Sequence, residues 1–228
     1  MKGLIKNDLY VFGKTFAWVL PIIFVCSALI VIFSETIVFF SETDELLYSF
    51  PCMYSCVILG FVPATLYSYD KRSGWNKYNT VMPYRRRDYV SVKYLFGLVV
   101  TFLYILFISC VILIKINTSD QLDFNDYIFM LFIMVLCSLA PVAIIMPISL
   151  KRSPQAGFII FGIEFFVIVF LIGMASGFLD AMFEENEENW YDGSQGNFIA
   201  FGGAALVSVI LYVISWFRSI RIYEKAEL

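Results

Sequence analysis

Six long apolar stretches, separated by short polar connections, dominate the sequence. They cover residues 16–33, 46–68, 94–114, 127–150, 156–179 and 198–217. The single charged residue within them is Glu164. About 20 apolar residues suffice for a helix to cross the roughly 30 Å hydrocarbon core of a bilayer. The pattern therefore predicts an all-α polytopic membrane protein, in which six transmembrane helices within residues 16–217 form one domain over residues 1–228.

The charges flanking these stretches are divided unequally between the two sides of the predicted membrane. Every Lys and Arg except Lys115 lies before the first stretch, in or beside the second and fourth connections, or after the last stretch. Thirteen of the 19 acidic residues lie in or beside the first, third and fifth connections. Because Lys and Arg collect in cytoplasmic loops, both termini are predicted to be cytoplasmic. The acidic fifth connection, residues 180–197, is predicted to be extracellular.

The segment before the first stretch, residues 1–15, mixes apolar and charged side chains. Its apolar residues are Leu4, Ile5, Leu9 and Val11, and its charged residues are Lys2, Lys6, Asp8 and Lys14. A helix with this pattern lies in the membrane interface. The segment is therefore predicted to be an interfacial elbow helix that leads into the first span. An ordinary basic tail beside the membrane is the alternative.

The composition narrows the classes of function. Hydrophobic residues make up 60% of the 228 residues and charged residues 15%, with a net charge of −3. The chain therefore leaves no room for a sizeable water-soluble catalytic domain and offers no large basic face for nucleic acid. It contains no His, which removes the commonest general base and metal ligand. We predict no enzymatic activity, no metal site and no bound cofactor for this chain.

Residues 69–93 form the longest predicted cytoplasmic connection and combine acidic, basic, aromatic and helix-stopping residues. Orientation in the membrane needs only Lys and Arg, whereas Trp, Tyr and Arg commonly anchor protein interfaces. A short amphipathic helix over residues 72–79, followed by a turn at Pro83, would offer a compact surface to a partner. The alternative is a charge cluster that only sets the topology, with aromatic residues at the membrane interface.

The same loop resembles part of a known protein family. The runs Ser73–Tyr78, Met82–Val90 and Lys93–Leu95 resemble the permeases of type-2 ATP-binding-cassette exporters from Gram-positive bacteria. The opening run Met1–Tyr10 is similar to the N-terminal elbow of those permeases. Within that group the chain is most similar to the small permeases that export amphipathic peptides, such as phenol-soluble modulins and bacteriocins.

The resemblance implies a permease that dimerises in the bacterial plasma membrane and is driven by two copies of a separate ATPase, which binds the ATP and Mg²⁺. In such families the first inner loop carries a coupling helix, which corresponds here to residues 70–78. The implied ATPase-coupling residues are Asp70, Arg72, Trp75, Asn76, Lys77 and Tyr78. The alternative function is a membrane scaffold without transport activity, or an immunity factor against membrane-active peptides.

The fifth predicted span carries two further candidate features. An intramembrane carboxylate costs about 3 kcal/mol on insertion scales unless it faces protein or water. Glu164 is therefore a candidate to line the translocation path and attract cationic groups of a peptide. A protonated packing residue that forms hydrogen bonds is the alternative. Gly173 and Gly177 lie four residues apart, a spacing that lets helices approach closely within one chain or between two.

Overall fold

The computed structural model describes residues 2–33, 46–75, 85–118, 124–164, 166–167, 170 and 190–225. All the regular elements in these ranges are α-helices, which confirms the predicted all-α class for this part of the chain. The helices are α1 (Lys2–Phe16), α2 (Val19–Phe33), α3 (Leu46–Gly60), α4 (Val62–Arg72), α5 (Arg86–Thr118), α6 (Phe124–Lys151), α7 (residues 154–164) and α8 (Trp190–Lys225).

Four helical stretches among the described residues are long and apolar enough to cross a membrane. They are Cys52–Arg72, Arg86–Asn117, Met130–Lys151 and Gly202–Lys225, and they match the second, third, fourth and sixth predicted spans. The pair α1 and α2 would add a fifth if it crosses as one broken span. The predicted fifth span, residues 156–179, is described only in part. A count of six spans therefore stays a prediction.

The helices α1 and α2 meet at the place where the sequence predicts the elbow to end. Helix α1 ends at Phe16, helix α2 begins at Val19, and the two axes are bent by 62°. Leu4, Asp8 and Val11 are the buried side chains of α1. Their spacing places them on one helix face, so this face includes a carboxylate. The position of α1 at the membrane interface stays a prediction.

Exposure divides the apolar residues of α1 between two faces. Ile5 and Leu9 are exposed, whereas Leu4 and Val11 are buried against the rest of the chain. The ring of Phe12 packs edge-on against Phe96 of α5, with 4.8 Å between the ring centroids. Helix α1 is therefore attached to the helix bundle through one face and leaves a second apolar face uncovered.

The helices around the predicted cytoplasmic loop are longer than the predicted spans. Helix α4 continues through Arg72, beyond the predicted span end at Ser68, and α5 begins at Arg86, before the predicted span start at Tyr94. The connection between them therefore covers residues 73–85 rather than 69–93. Similarly, α8 begins at Trp190, within the predicted acidic loop. The sequence criterion ended each span near its first charged residue, although charged residues can remain helical and buried when they are paired.

The packing brings α4 and α5 into close contact. A Cβ atom at Gly97 of α5 would collide with the ring of Pro63, which lies in the first turn of α4. A second close approach joins α3 to α6, because a Cβ atom at Gly60 of α3 would lie 2.5 Å from the backbone oxygen of Ser138 in α6. The most extensive helix contact joins α6 to α8. The first turn of α4 therefore packs closely against α5, at the end of α4 away from the connection.

Candidate functional site

A buried cluster of charged groups lies where α1, α4 and α5 meet. The Nζ atom of Lys93 is 3.0 Å from Oδ1 of Asp8 and 2.7 Å from Oδ2 of Asp70. Each residue comes from a different helix: Asp8 from α1, Asp70 from α4 and Lys93 from α5. The lysine therefore joins two carboxylates that belong to separate parts of the chain.

Tyr89 completes this group, which we call the charge cluster (Asp8, Asp70, Tyr89 and Lys93). Its hydroxyl donates a hydrogen bond of 2.7 Å to Oδ2 of Asp70, and its ring centroid lies 4.8 Å from Nζ of Lys93. The same ring stacks on Tyr223 of α8, with 5.1 Å between centroids. None of the four residues is exposed by more than 3%. The cluster thus connects four helices without contact with solvent.

The charges of the cluster are only partly balanced, because one ammonium group serves two carboxylates. Burial raises the pKa of the Asp8 carboxyl above its usual value, while the Lys93 ammonium lowers it and the Asp70 carboxylate raises it further. Burying ions away from water is costly unless they are paired and hydrogen-bonded. The position of Lys93 between the two carboxylates therefore holds α1 and α4 against α5.

Hydrogen bonds also define the end of α4. The backbone amide of Ser73 donates to the carbonyl oxygen of Tyr69 at 2.9 Å, and the Ser73 hydroxyl donates to the carbonyl oxygen of Asp70 at 3.1 Å. Gly74 follows with a φ of 75°, a value in the left-handed region that favours glycine at helix ends. The chain therefore leaves α4 within four residues of the charge cluster and returns to it through α5.

The predicted coupling residues occupy different environments. The carboxylate of Asp70 points inward to the charge cluster, Arg72 is exposed on the last turn of α4, and Trp75 is half-buried. The other three predicted coupling residues, Asn76, Lys77 and Tyr78, lie outside the described residues. Arg72 and Trp75 therefore have surface that a partner can reach, whereas Asp70 does not.

A second polar group joins α5 to α8 beside the charge cluster. The hydroxyl of Tyr94 lies 2.9 Å from the Ser215 hydroxyl and 2.7 Å from the Ser219 hydroxyl. The Tyr212 hydroxyl donates to the backbone oxygen of Tyr94 at 2.8 Å, and Trp216 Nε1 donates to the Ser91 hydroxyl at 3.1 Å. These bonds fix the C-terminal half of α8 along the first turns of α5.

Glu164 has no comparable set of partners. It is the last residue of α7 as described and is half-buried. Within the described ranges, neither of its buried carboxylate oxygens has a hydrogen-bond partner. Gly173 and Gly177, the predicted helix-packing residues of the same span, lie outside the described residues. Across the part of the chain that the structure covers, no group of Cys, Asp or Glu is arranged to hold a metal ion.

Comparison with known protein families identifies the chain. A model of the family described as ABC-2 family transporter protein matches residues 3–224. The chain belongs to this family. It is accordingly a permease, the membrane component of an ABC transporter, and membership implies an ABC ATPase as its partner. Comparisons with curated proteins and with solved structures found no match.

Asp70 is the one residue of this permease's charge cluster among the predicted site residues, and the resemblance implies a coupling role for it rather than a buried ion pair. A signal for Asp8 exists, because a carboxylate between Leu4 and Val11 on one helix face has to be buried when that face packs. A weaker signal exists for Lys93, which follows Tyr89 by one helix turn. Neither signal identifies the partner, since Asp8 and Lys93 are 85 residues apart in the sequence.

Proposed function

We propose that this permease is the membrane subunit of an ATP-driven exporter that moves amphipathic peptides out of a bacterial cell. Family membership supports the permease role, and the resemblance of the loop and of the N-terminal run to peptide-exporting permeases of Gram-positive bacteria supports the substrate class. The distribution of Lys and Arg supports cytoplasmic termini in the plasma membrane. ATP and Mg²⁺ bind to the partner ATPase in this proposal, and the permease itself catalyses no reaction.

The charge cluster is the observation that carries the coupling mechanism. Asp70 lies just before the connection of residues 73–85, and Tyr89 and Lys93 lie just after it. Any force on the connection therefore acts on both of its ends and, through Asp8, on α1. In our proposal the ATPase docks on Arg72, Trp75 and the following residues Asn76, Lys77 and Tyr78. The cluster then transmits its movement to α1 and α5.

The assembly follows from the size of one chain. A single copy has at most six spans, too few to enclose a path for a peptide in this kind of transporter. Two permease copies and two ATPases are therefore proposed, since closed symmetric pairing is the usual arrangement of homo-oligomers. Glu164 lines the path in this arrangement. Gly173 and Gly177 serve close helix packing.

Co-purification with an ATPase, followed by measurement of hydrolysis with and without cationic amphipathic peptides, tests this function. Trp75→Ala, and separately the double change Arg72→Glu with Lys77→Glu, should weaken ATPase binding or uncouple hydrolysis from transport while insertion stays normal. Interface anchors of this type contribute about 1–3 kcal/mol each, which corresponds to a loss of binding of roughly tenfold to a hundredfold.

The matched control reverses two charges elsewhere on the predicted cytoplasmic side. Arg221→Glu with Lys225→Glu changes the net charge by the same amount at exposed positions of α8. This control should insert, bind the ATPase and transport normally. Normal ATPase binding and normal transport in both loop variants would refute the docking role. Failure of the unmodified chain to bind any ATPase would favour the scaffold or immunity function instead.

A further inference from the structure

A cavity of about 520 Å³ lies among the C-terminal end of α6, helix α7 and the last turns of α8. Three cationic side chains line it, Lys151, Arg152 and Arg218, and each is exposed. Protein cavities that hold small molecules typically measure about 300–1,000 Å³. The cavity therefore has room for a ligand considerably larger than a simple ion.

The side chains of Lys151, Arg152 and Arg218 form no ion pair with any residue in the described ranges. Three like charges around one cavity repel each other, and an anion between them removes this repulsion. Arg in particular matches the geometry of phosphate oxygens through paired hydrogen bonds. The charge of the site thus favours a phosphate-bearing ligand.

The rest of the cavity lining is apolar, which favours a lipid over a free phosphate as the ligand. Ile148 of α6, Ile160 of α7 and Ile222 of α8 line the same cavity as the cations. These helices belong to a membrane protein, and Ile159 and Ile163 of α7, near Ile160 in the sequence, are exposed apolar residues of the kind that face lipid. A free phosphate gains nothing from such a wall, whereas the upper acyl chains of a lipid do, by about 25 cal/mol per Å² buried.

We propose that this cavity binds an anionic phospholipid, with its phosphate between Lys151, Arg152 and Arg218 and its upper acyl chains along Ile148, Ile160 and Ile222. Basic pockets between transmembrane helices bind such headgroups in other membrane proteins. A bound lipid would link the ends of α6 and α8 to α7, the helix that carries Glu164. Placement in the cytoplasmic leaflet rests on the orientation in the proposed function. Lipid binding itself does not.

The first experiment measures lipid binding to the purified full-length permease by native mass spectrometry in a neutral detergent. Phosphatidylglycerol is titrated against the unmodified protein and against the variant Arg152→Gln with Arg218→Gln. Each basic residue contributes about 1 kcal/mol to binding of anionic lipid, so the variant should bind about 30-fold more weakly. Phosphatidylcholine, which has no net charge, should bind weakly to both proteins.

The matched control removes two other exposed arginines, Arg85→Gln with Arg221→Gln, which do not line the cavity. It should keep the affinity of the unmodified protein within about twofold. An equal loss in both double variants would overturn the proposal, because it would mean that the total basic charge attracts the lipid. Displacement of phosphatidylglycerol by inorganic phosphate at equal concentration would also overturn it, in favour of an anion site without an acyl component.

The second experiment needs no variant and therefore stands even if the substitutions impair folding. A photoactivatable phosphatidylglycerol is crosslinked to the unmodified permease in vesicles, and the labelled peptides are mapped. Labelling should concentrate on residues 143–160 and 218–222. Labelling spread evenly over all helices would overturn the proposal. Neither outcome depends on the ATPase or on transport, so failure of the lipid site is distinguishable from failure of the proposed function.

Discussion

Lys93 and Glu164 are both ionisable residues whose charged atoms are buried, but their surroundings differ. Lys93 has two carboxylate partners within 3.0 Å and a tyrosine ring beside it. Glu164 has no hydrogen-bond partner within the described residues. A buried charge with a full set of partners is held by the fold, whereas one without partners contributes no stabilising contact. The two regions therefore call for different kinds of experiment.

The difference predicts a role in stability for the charge cluster, while a role in transport for Glu164 is part of our proposal. The charge cluster joins α1, α4, α5 and, through Tyr89, α8, so its loss should appear first as a loss of stability. Glu164 has no such connections in the described structure, and its loss should leave stability nearly unchanged. If Glu164 matters, its effect has to appear when substrate is present.

Replacing Lys93 with Met should destabilise the permease most. The change keeps most of the length of the side chain but leaves the carboxylates of Asp8 and Asp70 buried together without a cation. Removing one partner of a buried ion pair costs about 3–5 kcal/mol. Denaturant titration of the detergent-solubilised protein measures the free energy of unfolding. The control is Lys71→Met, at an exposed position one residue from Asp70. It should change the free energy of unfolding by less than about 0.5 kcal/mol.

A triple variant separates lost charge balance from lost packing. Adding Asp8→Asn and Asp70→Asn to Lys93→Met removes all three charges, so no unpaired charge stays buried. Replacing a whole buried ion cluster with neutral groups is often close to neutral for stability. The triple variant should therefore recover most of the loss caused by Lys93→Met. No recovery would mean that Lys93 acts through packing, and the electrostatic account of the cluster would be wrong.

Tyr89→Phe should have a smaller effect in the same region. The change removes the hydrogen bond to Asp70 but keeps the ring that stacks on Tyr223 and lies beside Lys93. A hydrogen bond to a charged group contributes about 1.5–3 kcal/mol, and the same titration measures the loss. Tyr10→Phe is the matched control, since Tyr10 is 70% exposed. An equal effect of both substitutions would show that the hydroxyl of Tyr89 has no special role.

The contrast between the two regions also marks what the sequence could predict. The all-α class, four or five of the spans and the break between α1 and α2 follow from local composition, because about 20 apolar residues in succession have to be helical in a membrane. The stretch before Phe16 contains charged residues and the stretch after Val19 does not. This local change in composition predicts the position of the break. These features need no knowledge of which helices pack together.

The charge cluster could not be predicted in the same way. Asp8, Asp70 and Lys93 look like ordinary charged residues at the ends of apolar stretches, and only the packing of three helices brings them together. Lys115 is a similar case. The charge pattern assigns it to the predicted extracellular side, but it is buried and donates a hydrogen bond of 3.1 Å to the backbone oxygen of Val31 in α2. For the charge cluster and for Lys115 alike, contacts between residues far apart in the sequence decide the role of the charged side chain.

Glu164→Gln should have the smallest effect on stability and a selective effect on transport. Gln keeps the shape of the side chain and its ability to form hydrogen bonds, so the change removes the charge alone. We expect the free energy of unfolding to stay within about 0.5 kcal/mol of the parent. With the partner ATPase present, stimulation of hydrolysis by a cationic peptide should fall roughly twofold to fivefold, the effect of one partly solvated ion pair. Basal hydrolysis should change less.

A second substitution at the same position and an uncharged peptide complete the test. An uncharged amphipathic peptide should stimulate the parent and Glu164→Gln equally, because it offers no cation to the carboxylate. Glu164→Leu removes the hydrogen-bonding ability as well as the charge. If Glu164→Gln behaves like the parent with every peptide while Glu164→Leu unfolds, Glu164 is a hydrogen-bonding residue of the fold. The contrast with the charge cluster would then be wrong, because the partners of Glu164 would lie in the part of the chain outside the described ranges or in a second copy.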